Sequence, residues 1–270
     1  MTSVYPHGDI VAVSQHQLHQ PTNHGVVEDD DWYQIACRNG TVYAQARESC
    51  PADYNCWSCP EPFQPEGCRY KEHQRQITCL NTCLIPARYK EATIEVLHNT
   101  VEDNETSPAI KKSLQWLIRW CLAEPIPTRG ILLSSPPGTG KTFALAAVLR
   151  YLTLMRARSC LFVECDHFLR ELKQCYHRKG DEKKLYDALR EVTVLVLDDF
   201  ETKGVSEWAL EVMQRIIGYR YNDMKPVFIS TNLDINSGMK RDVPLRTYSR
   251  LQEMCYWFSF DGPDRRRSNT

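Results

Sequence analysis

The run Ser135-Pro136-Pro137-Gly138-Thr139-Gly140-Lys141-Thr142 carries the residue types that hold a polyphosphate. In the turn that begins at Pro137, the backbone N–H groups of Gly138, Thr139 and Gly140 can wrap a β-phosphate. Lys141 can reach the β- and γ-phosphates, and the Thr142 hydroxyl can sit on Mg2+. The ligand implied is ATP with its magnesium ion. An apolar segment, Gly130 to Leu133, enters the run, and an apolar helix pattern leaves it near Thr142. The N-terminus of that helix adds the positive end of its dipole. The usual pattern opens with Gly. Ser135 holds that place here, at the hinge into the loop, and a tolerated change is expected.

Two further sets of residues complete a phosphate chemistry. Val194-Leu195-Val196-Leu197-Asp198-Asp199 puts two carboxylates at the tip of a near-continuous apolar strand. Ligands of a parallel sheet bind at the carboxyl ends of its strands, where the phosphate loop also lies. Asp198 can then share the magnesium shell with Thr142, and Asp199 can orient or deprotonate an attacking water. Asn232, in Ser230-Thr231-Asn232, ends the next apolar strand and can reach a γ-phosphate or that water.

A different chemistry is written in the cysteines. Of twelve, seven fall in one stretch: Cys37, Cys50, Cys56, Cys59, Cys68, Cys79 and Cys83. In a reducing compartment such a cluster reads as metal ligands before disulfides. Cys50, Cys56, Cys59 and Cys68, with two residues between the middle pair, supply the four thiolates that tetrahedral zinc prefers. Cys37, Cys79 and Cys83 could replace an outer ligand or form a second site. The other five cysteines sit in apolar segments and read as small buried hydrophobes.

These residues need a scaffold, and the pattern around them supplies one. Residues 1–31 read as a flexible tail and 32–84 as a hairpin, around Asn39-Gly40, plus a Cys-rich zinc module. Residues 85–106 read as a connector, 107–262 as the main domain and 263–270 as a basic tail. Ser107-Pro108 reads as a helix cap and first turn. Beyond it, helices alternate with short apolar strands, which predicts an α/β fold with a parallel sheet covered by helices on both faces.

A net charge of −1 over 270 residues excludes a protein that is basic throughout. Nucleic acid must therefore be met by a local patch. The segment 167–184 reads either as a solvated amphipathic helix or as such a patch: Arg170, Lys173, Arg178 and Lys179 would meet phosphates, with Phe168 and Tyr176 for base stacking, a mixture that suits single-stranded DNA. No apolar run approaches the ~18 residues of a membrane span. The N-terminus has no apolar signal core, so no membrane partner and a cytoplasmic location are expected.

The block from Leu195 to Leu233 resembles the ATPase core of DnaC/DnaI-type replicative helicase loaders, within the DnaC/IstB-like AAA+ ATPases. It includes Asp198-Asp199-Phe200, Gly218-Tyr219-Arg220-Tyr221, Lys225-Pro226 and Ser230-Thr231-Asn232-Leu233. Ile85-Pro86-Ala87-Arg88-Tyr89, the arginine-bearing Arg246-Thr247-Tyr248-Ser249-Arg250-Leu251 and the closing Trp257-Phe258-Ser259-Phe260 extend the likeness over about residues 85–262. The resemblance implies an AAA+ core without the usual C-terminal lid and an ATPase that self-associates into an oligomer. It also implies a replicative helicase and single-stranded DNA as partners. Under it, Asn232 is the sensor and Arg246 the finger that reaches a neighbouring subunit's γ-phosphate, with Arg250 one turn away. Asp199 stands where many AAA+ proteins have Glu, which points to slow hydrolysis. Two other readings share the core: an IstB-type transposition helper, and a nucleotide-binding adaptor with little hydrolysis.

Overall fold

A computed structural model describes residues 32–47, 68–175, 181–201, 205–235 and 237–265. Its centre is a five-stranded sheet in the order β4-β5-β6-β3-β7, formed by β3 (Gly130–Ser134), β4 (Cys160–Glu164), β5 (Val194–Asp198), β6 (Val227–Thr231) and β7 (Cys255–Ser259). Every pairing is parallel. Strands β3, β5 and β6 are buried along their whole length, as strands covered on both faces must be. Val194, Leu195, Val196 and Leu197 are each 0% exposed. Each such side chain contributes about 1.5–3 kcal/mol relative to exposure. The chain leaves β3 toward β4 on one side and ends at β7 on the other, so a crevice opens beyond the carboxyl end of β3.

The helices are α1 (Arg69–Cys83), α2 (Ile94–Glu102), α3 (Pro108–Leu122), α4 (Lys141–Leu154) and α5 (Cys165–Cys175), followed by α6 (Asp181–Glu191), α7 (Glu207–Asn222), α8 (Gly238–Asp242) and α9 (Leu245–Met254). Ser107 caps α3 as its sequence predicts, accepting from the Ile110 N–H, with Pro108 in the first turn. Helix α4 is buried nearly all round because it lies between the sheet and α1, α2 and α3. That is why its sequence lacks a polar face.

Strands β1 (Tyr33–Arg38) and β2 (Thr41–Ala46) form the expected hairpin, with Asn39 at φ 52° and Gly40 at φ 78°. These are the left-handed conformations of the turn that best matches strand twist. Asn81 of α1 closes the free edge of β2. Its Oδ1 accepts from the Ala44 N–H at 2.8 Å and its Nδ2 donates to the Ala44 carbonyl at 3.0 Å. The amide thus stands in for a missing neighbour strand.

The segment 85–106 differs from the bare connector that its polarity suggests. It contains a short 3-10 turn (Ala87–Tyr89) and α2, capped by Thr93. Tyr33, Val42, Leu80, Ile85 and Leu97 join one apolar cluster with Leu114, Leu145, Val148 and Phe228. Hairpin, α1 and α2 therefore pack into the same core as the sheet. A two-stranded hairpin by itself would be marginal in water.

Arg220 is 0% exposed and does structural work. Its guanidinium donates to the carbonyls of Leu189, Arg190, Val192, Thr193 and Pro226. It gathers the end of α6, the entry to β5 and the entry to β6 around one cation. Among the described residues no helix is long and apolar enough to cross a membrane.

Candidate functional site

The loop between β3 and α4 turns sharply through Gly138 at φ 88° and Gly140 at φ 103°. Both are conformations that residues with a Cβ rarely adopt. The turn brings Lys141, 5% exposed, back over the loop. Its ammonium donates to the Ser135 carbonyl at 2.7 Å, the Ser135 hydroxyl at 3.1 Å, the Pro136 carbonyl at 3.1 Å and Asn232 Oδ1 at 3.1 Å. Ser135 is therefore more than a tolerated hinge. It is buried, and its hydroxyl shares a 2.6 Å hydrogen bond with Thr139 Oγ1 while accepting from Lys141.

Across the crevice, Thr142 Oγ1 donates to Asp198 Oδ1 at 2.9 Å, and Ser230 Oγ donates to the same oxygen at 2.5 Å. Burial pushes the Asp198 carboxyl up to about 6, and the nearby Asp199 and Glu164 charges push the same way. The hydrogen bonds from Ser230 and Thr142 oppose the rise. The Asp198 carboxylate and the Thr142 hydroxyl are hard oxygen donors beside a phosphate loop, a set that fits Mg2+. Asp199 lies at φ 51°, held by a 3.0 Å bond from its N–H to Ser230 Oγ and by the Phe200 N–H donating to the Ser230 carbonyl. Ser230 thus positions both carboxylates.

A cavity of about 450 Å³ runs from Asp199 and Asn232 past the loop to Arg88, Tyr89, Leu97, Ile110, Leu114 and Phe260. One end is polar and meets the phosphate loop, and the other is largely apolar. Pockets of this size and polarity suit a small ligand with an apolar body and a charged tail. The wall at Arg88 and Tyr89 is fixed from two sides. The Ala87 N–H donates to the Gly40 carbonyl at 2.8 Å, and Arg150 of α4 donates to the Lys90 carbonyl.

The structure brings together Pro137, Gly138, Thr139, Gly140, Lys141, Thr142, Asp198, Asp199 and Asn232. It adds Glu201, whose Oε1 accepts from Asn232 Nδ2 at 3.1 Å, together with Ser230 and Arg265. Nothing in the sequence marks Glu201 in advance, and Ser230 appears there only as a neighbour of Asn232 in its motif. Their roles arise from strand register. Arg246 is exposed and no hydrogen bond or ion pair among the described residues engages it. Arg250 stands over the Tyr221 ring at 5.4 Å. Neither arginine lines the cavity of this chain.

The expected DNA-binding set changes. Phe168 is 9% exposed and packs in the core with Leu172, because the two share the face of α5 that meets the sheet. It is not available to stack on a base. Arg170 is exposed and pairs with Asp166 at 3.0 Å, while Lys173 lies 4.9 Å over the Trp208 ring. Tyr176, Arg178 and Lys179 lie outside the described residues.

Of the expected zinc ligands, Cys50, Cys56 and Cys59 also lie outside them, and Cys68 precedes the first turn of α1. Among the described residues no group of three or more His, Cys, Asp or Glu could hold a metal ion. Cys83 is fully buried, and burial raises its thiol well above the ordinary range. It packs as a core residue.

A five-stranded parallel sheet with a phosphate loop after β3, the neighbour of its central strand β6, and an Asp at the tip of β5 defines an AAA+ P-loop nucleotide-binding protein. Residues 97–239 match the IstB-like ATP binding protein family. That is more than half of the 270 residues, and the chain belongs to this family. Among solved structures it is similar to the DnaC helicase loader, with TM-score 0.55 and 23% identity, over 65% of this chain and 99% of that one. It is similar to DnaI, with TM-score 0.54 and 25% identity, over 67% and 94%. Two Bacillus subtilis proteins are each 32% identical: YqaM over 130 residues and the phage-like element PBSX protein XkdC over 135. The matched stretch is 46% of this chain in both cases, and 40% and 47% of those proteins. The match thus spans less than half the length of either relative.

Proposed function

We propose that this chain is an ATPase that loads a replicative DNA helicase onto single-stranded DNA. The observation that carries the reading is the joint geometry of Lys141, Thr142, Asp198 and Asn232 at one end of a single cavity. The fold likeness to DnaC and DnaI supports the loading role.

Thr142 and Asp198 would hold the magnesium ion, which when bound neutralises charge on the terminal phosphates. Lys141 is already held over the loop and would exchange the Ser135, Pro136 and Asn232 oxygens for phosphate oxygens. These form the stronger, charge-assisted bonds. Asp199 would accept the proton of the attacking water, with Asn232 orienting that water. Glu201, hydrogen-bonded to Asn232, would fix the orientation of its amide. The exposed Arg246 fits a group given to a neighbouring subunit, so hydrolysis would depend on assembly. Arg250 is the second candidate. Arg170 and Lys173, with Tyr176, Arg178 and Lys179 beyond them, remain the proposed contact to DNA phosphates. Cys50, Cys56, Cys59 and Cys68 are proposed to bind one zinc ion in a module that docks on the helicase. Metal analysis of protein purified without chelator should find one zinc per chain, lost when Cys56 and Cys59 are both changed to Ser.

The test of the loading role is retention of the source cell's replicative helicase on circular single-stranded DNA. With ATP the chain should raise retention several-fold and Lys141→Ala should not. Equal retention with and without the chain counts against loading. Capture of a transposase in place of a helicase would favour the IstB-type helper, a reading that the family match keeps in view.

A further inference from the structure

Residues 260–265, which follow β7, cross the N-terminus of α3 and reach the phosphate loop. The Phe260 N–H donates to the Ser134 carbonyl at 2.8 Å. The Asp261 carbonyl accepts from Ser107 Oγ at 2.6 Å, the same hydroxyl that caps α3. Gly262 passes Ile110 so closely that a Cβ would stand 2.5 Å from its Cδ1. The Asp264 carboxylate packs against Gly138 closely enough that an added methyl there would overlap it. The Arg265 N–H donates to the Gly138 carbonyl at 2.9 Å. These attachments deliver the Arg265 side chain into the wall of the nucleotide cavity. Its Cδ lies 3.8 Å from where a Gly140 Cβ would be, and its guanidinium donates to Thr106 Oγ1 at 3.2 Å.

We propose that Arg265 is a phosphate ligand of the bound nucleotide, carried in cis by the C-terminal segment, so that the chain closes its own site. The proposal rests on the reading of this cavity as a nucleotide site. Two features point to phosphate over base. The side chain runs beside Gly140, at the start of α4, where the loop's N–H groups and the helix dipole gather anions. The apolar walls at Leu97, Ile110 and Leu114 lie along the same cavity and leave the other end to an apolar body. The sequence presents Arg265 only as the first of three arginines in a basic tail. The fold separates it from that role.

The test is competition of ATP and of ADP against a fluorescent ADP analogue on the full chain, with melting temperature measured in parallel. One charge-assisted hydrogen bond corresponds to a loss of about ten-fold in affinity. Arg265→Ala should weaken ATP and ADP alike by about that factor at an unchanged melting temperature. Arg265→Lys should recover most of it, and Thr106→Val should leave the affinity unchanged or raise it. If Arg265 only staples the tail, Thr106→Val will mimic Arg265→Ala, and the proposal fails. It also fails if Arg265→Ala stays within two-fold of the parent while Lys141→Ala loses binding, which leaves the nucleotide reading standing. A parent protein that binds neither nucleotide overturns both.

Discussion

At the scale of single residues, Lys141 and Asp198 carry the sharpest expectations. Lys141 donates to four acceptors within its own chain, yet it is one residue of a helix start, and the fold does not hang on it. Lys141→Ala should lose tight ATP binding, by 100-fold or more, and keep its melting temperature within a few degrees; unchanged affinity by calorimetry would contradict this. Asp198 is the opposite case, a carboxylate that burial makes uncomfortable. Its folded-state value of about 6 lies above the ordinary 3.8. The folded form therefore binds the proton more tightly than the unfolded form does. The resulting stability is fully present below pH 3.8 and is lost as pH rises through about 6. The gap of about two pH units corresponds to at most roughly 3 kcal/mol. In chelator and without nucleotide, Asp198→Asn should be more stable than the parent at pH 8 by about 1–3 kcal/mol. That advantage should vanish near pH 4, as read by urea unfolding at the two pH values. An equal difference at both would show that burial does not perturb this carboxyl.

At the scale of elements, Arg220 is the test of how the sheet is tied. Five carbonyls from three segments meet its guanidinium. Arg220→Met should cost about 3–5 kcal/mol because those acceptors stay buried without a donor. Arg220→Lys should recover only part, since an ammonium has three donors on one point. Urea unfolding that shifts by less than 1 kcal/mol in the Met variant would contradict the bonding.

The elements also show how much of the molecule could be read from sequence. The central strands and the phosphate loop are legible because burial on both faces writes unbroken apolar runs such as Val194 to Leu197. Helix α1 is not. Its buried face consists of Ile77, Leu80 and Cys83 alone, and Cys83 reads as a metal ligand until burial shows it to be core. Helix α2 hides for a similar reason: Ile94 and Leu97 are its only buried residues. Phe168 misleads in the other direction. Among lysines and arginines it looks like a stacking platform, yet the spacing to Leu172 marks a helix face turned to the sheet. Glu201, Ser230 and Arg265 are placed by tertiary contacts that leave no local trace.

At the scale of the whole molecule, the site is built from one chain but its proposed finger lies outside the cavity lining. Arg246 lies outside the cavity and is exposed, beside Leu245 at 80% exposure. If Arg246 acts on a neighbour's nucleotide, Arg246→Ala should bind ATP normally and hydrolyse it at least 100-fold more slowly. An arginine supplied in trans is worth about 10³–10⁵ in rate. Mixing it with Lys141→Ala subunits should restore part of the activity, because one partner supplies the pocket and the other the arginine. Mixed oligomers that stay at the mutant baseline at every ratio would transfer the role to Arg250.

All of this presupposes an ATPase in this crevice, and the most direct measurement is phosphate release from ATP by the full chain with Mg2+ and single-stranded DNA. Turnover per subunit should rise with protein concentration, rise further with DNA, and be absent in Lys141→Ala. A parent protein no faster than Lys141→Ala at any concentration, with or without DNA, would make this chain a nucleotide-binding adaptor and not an enzyme.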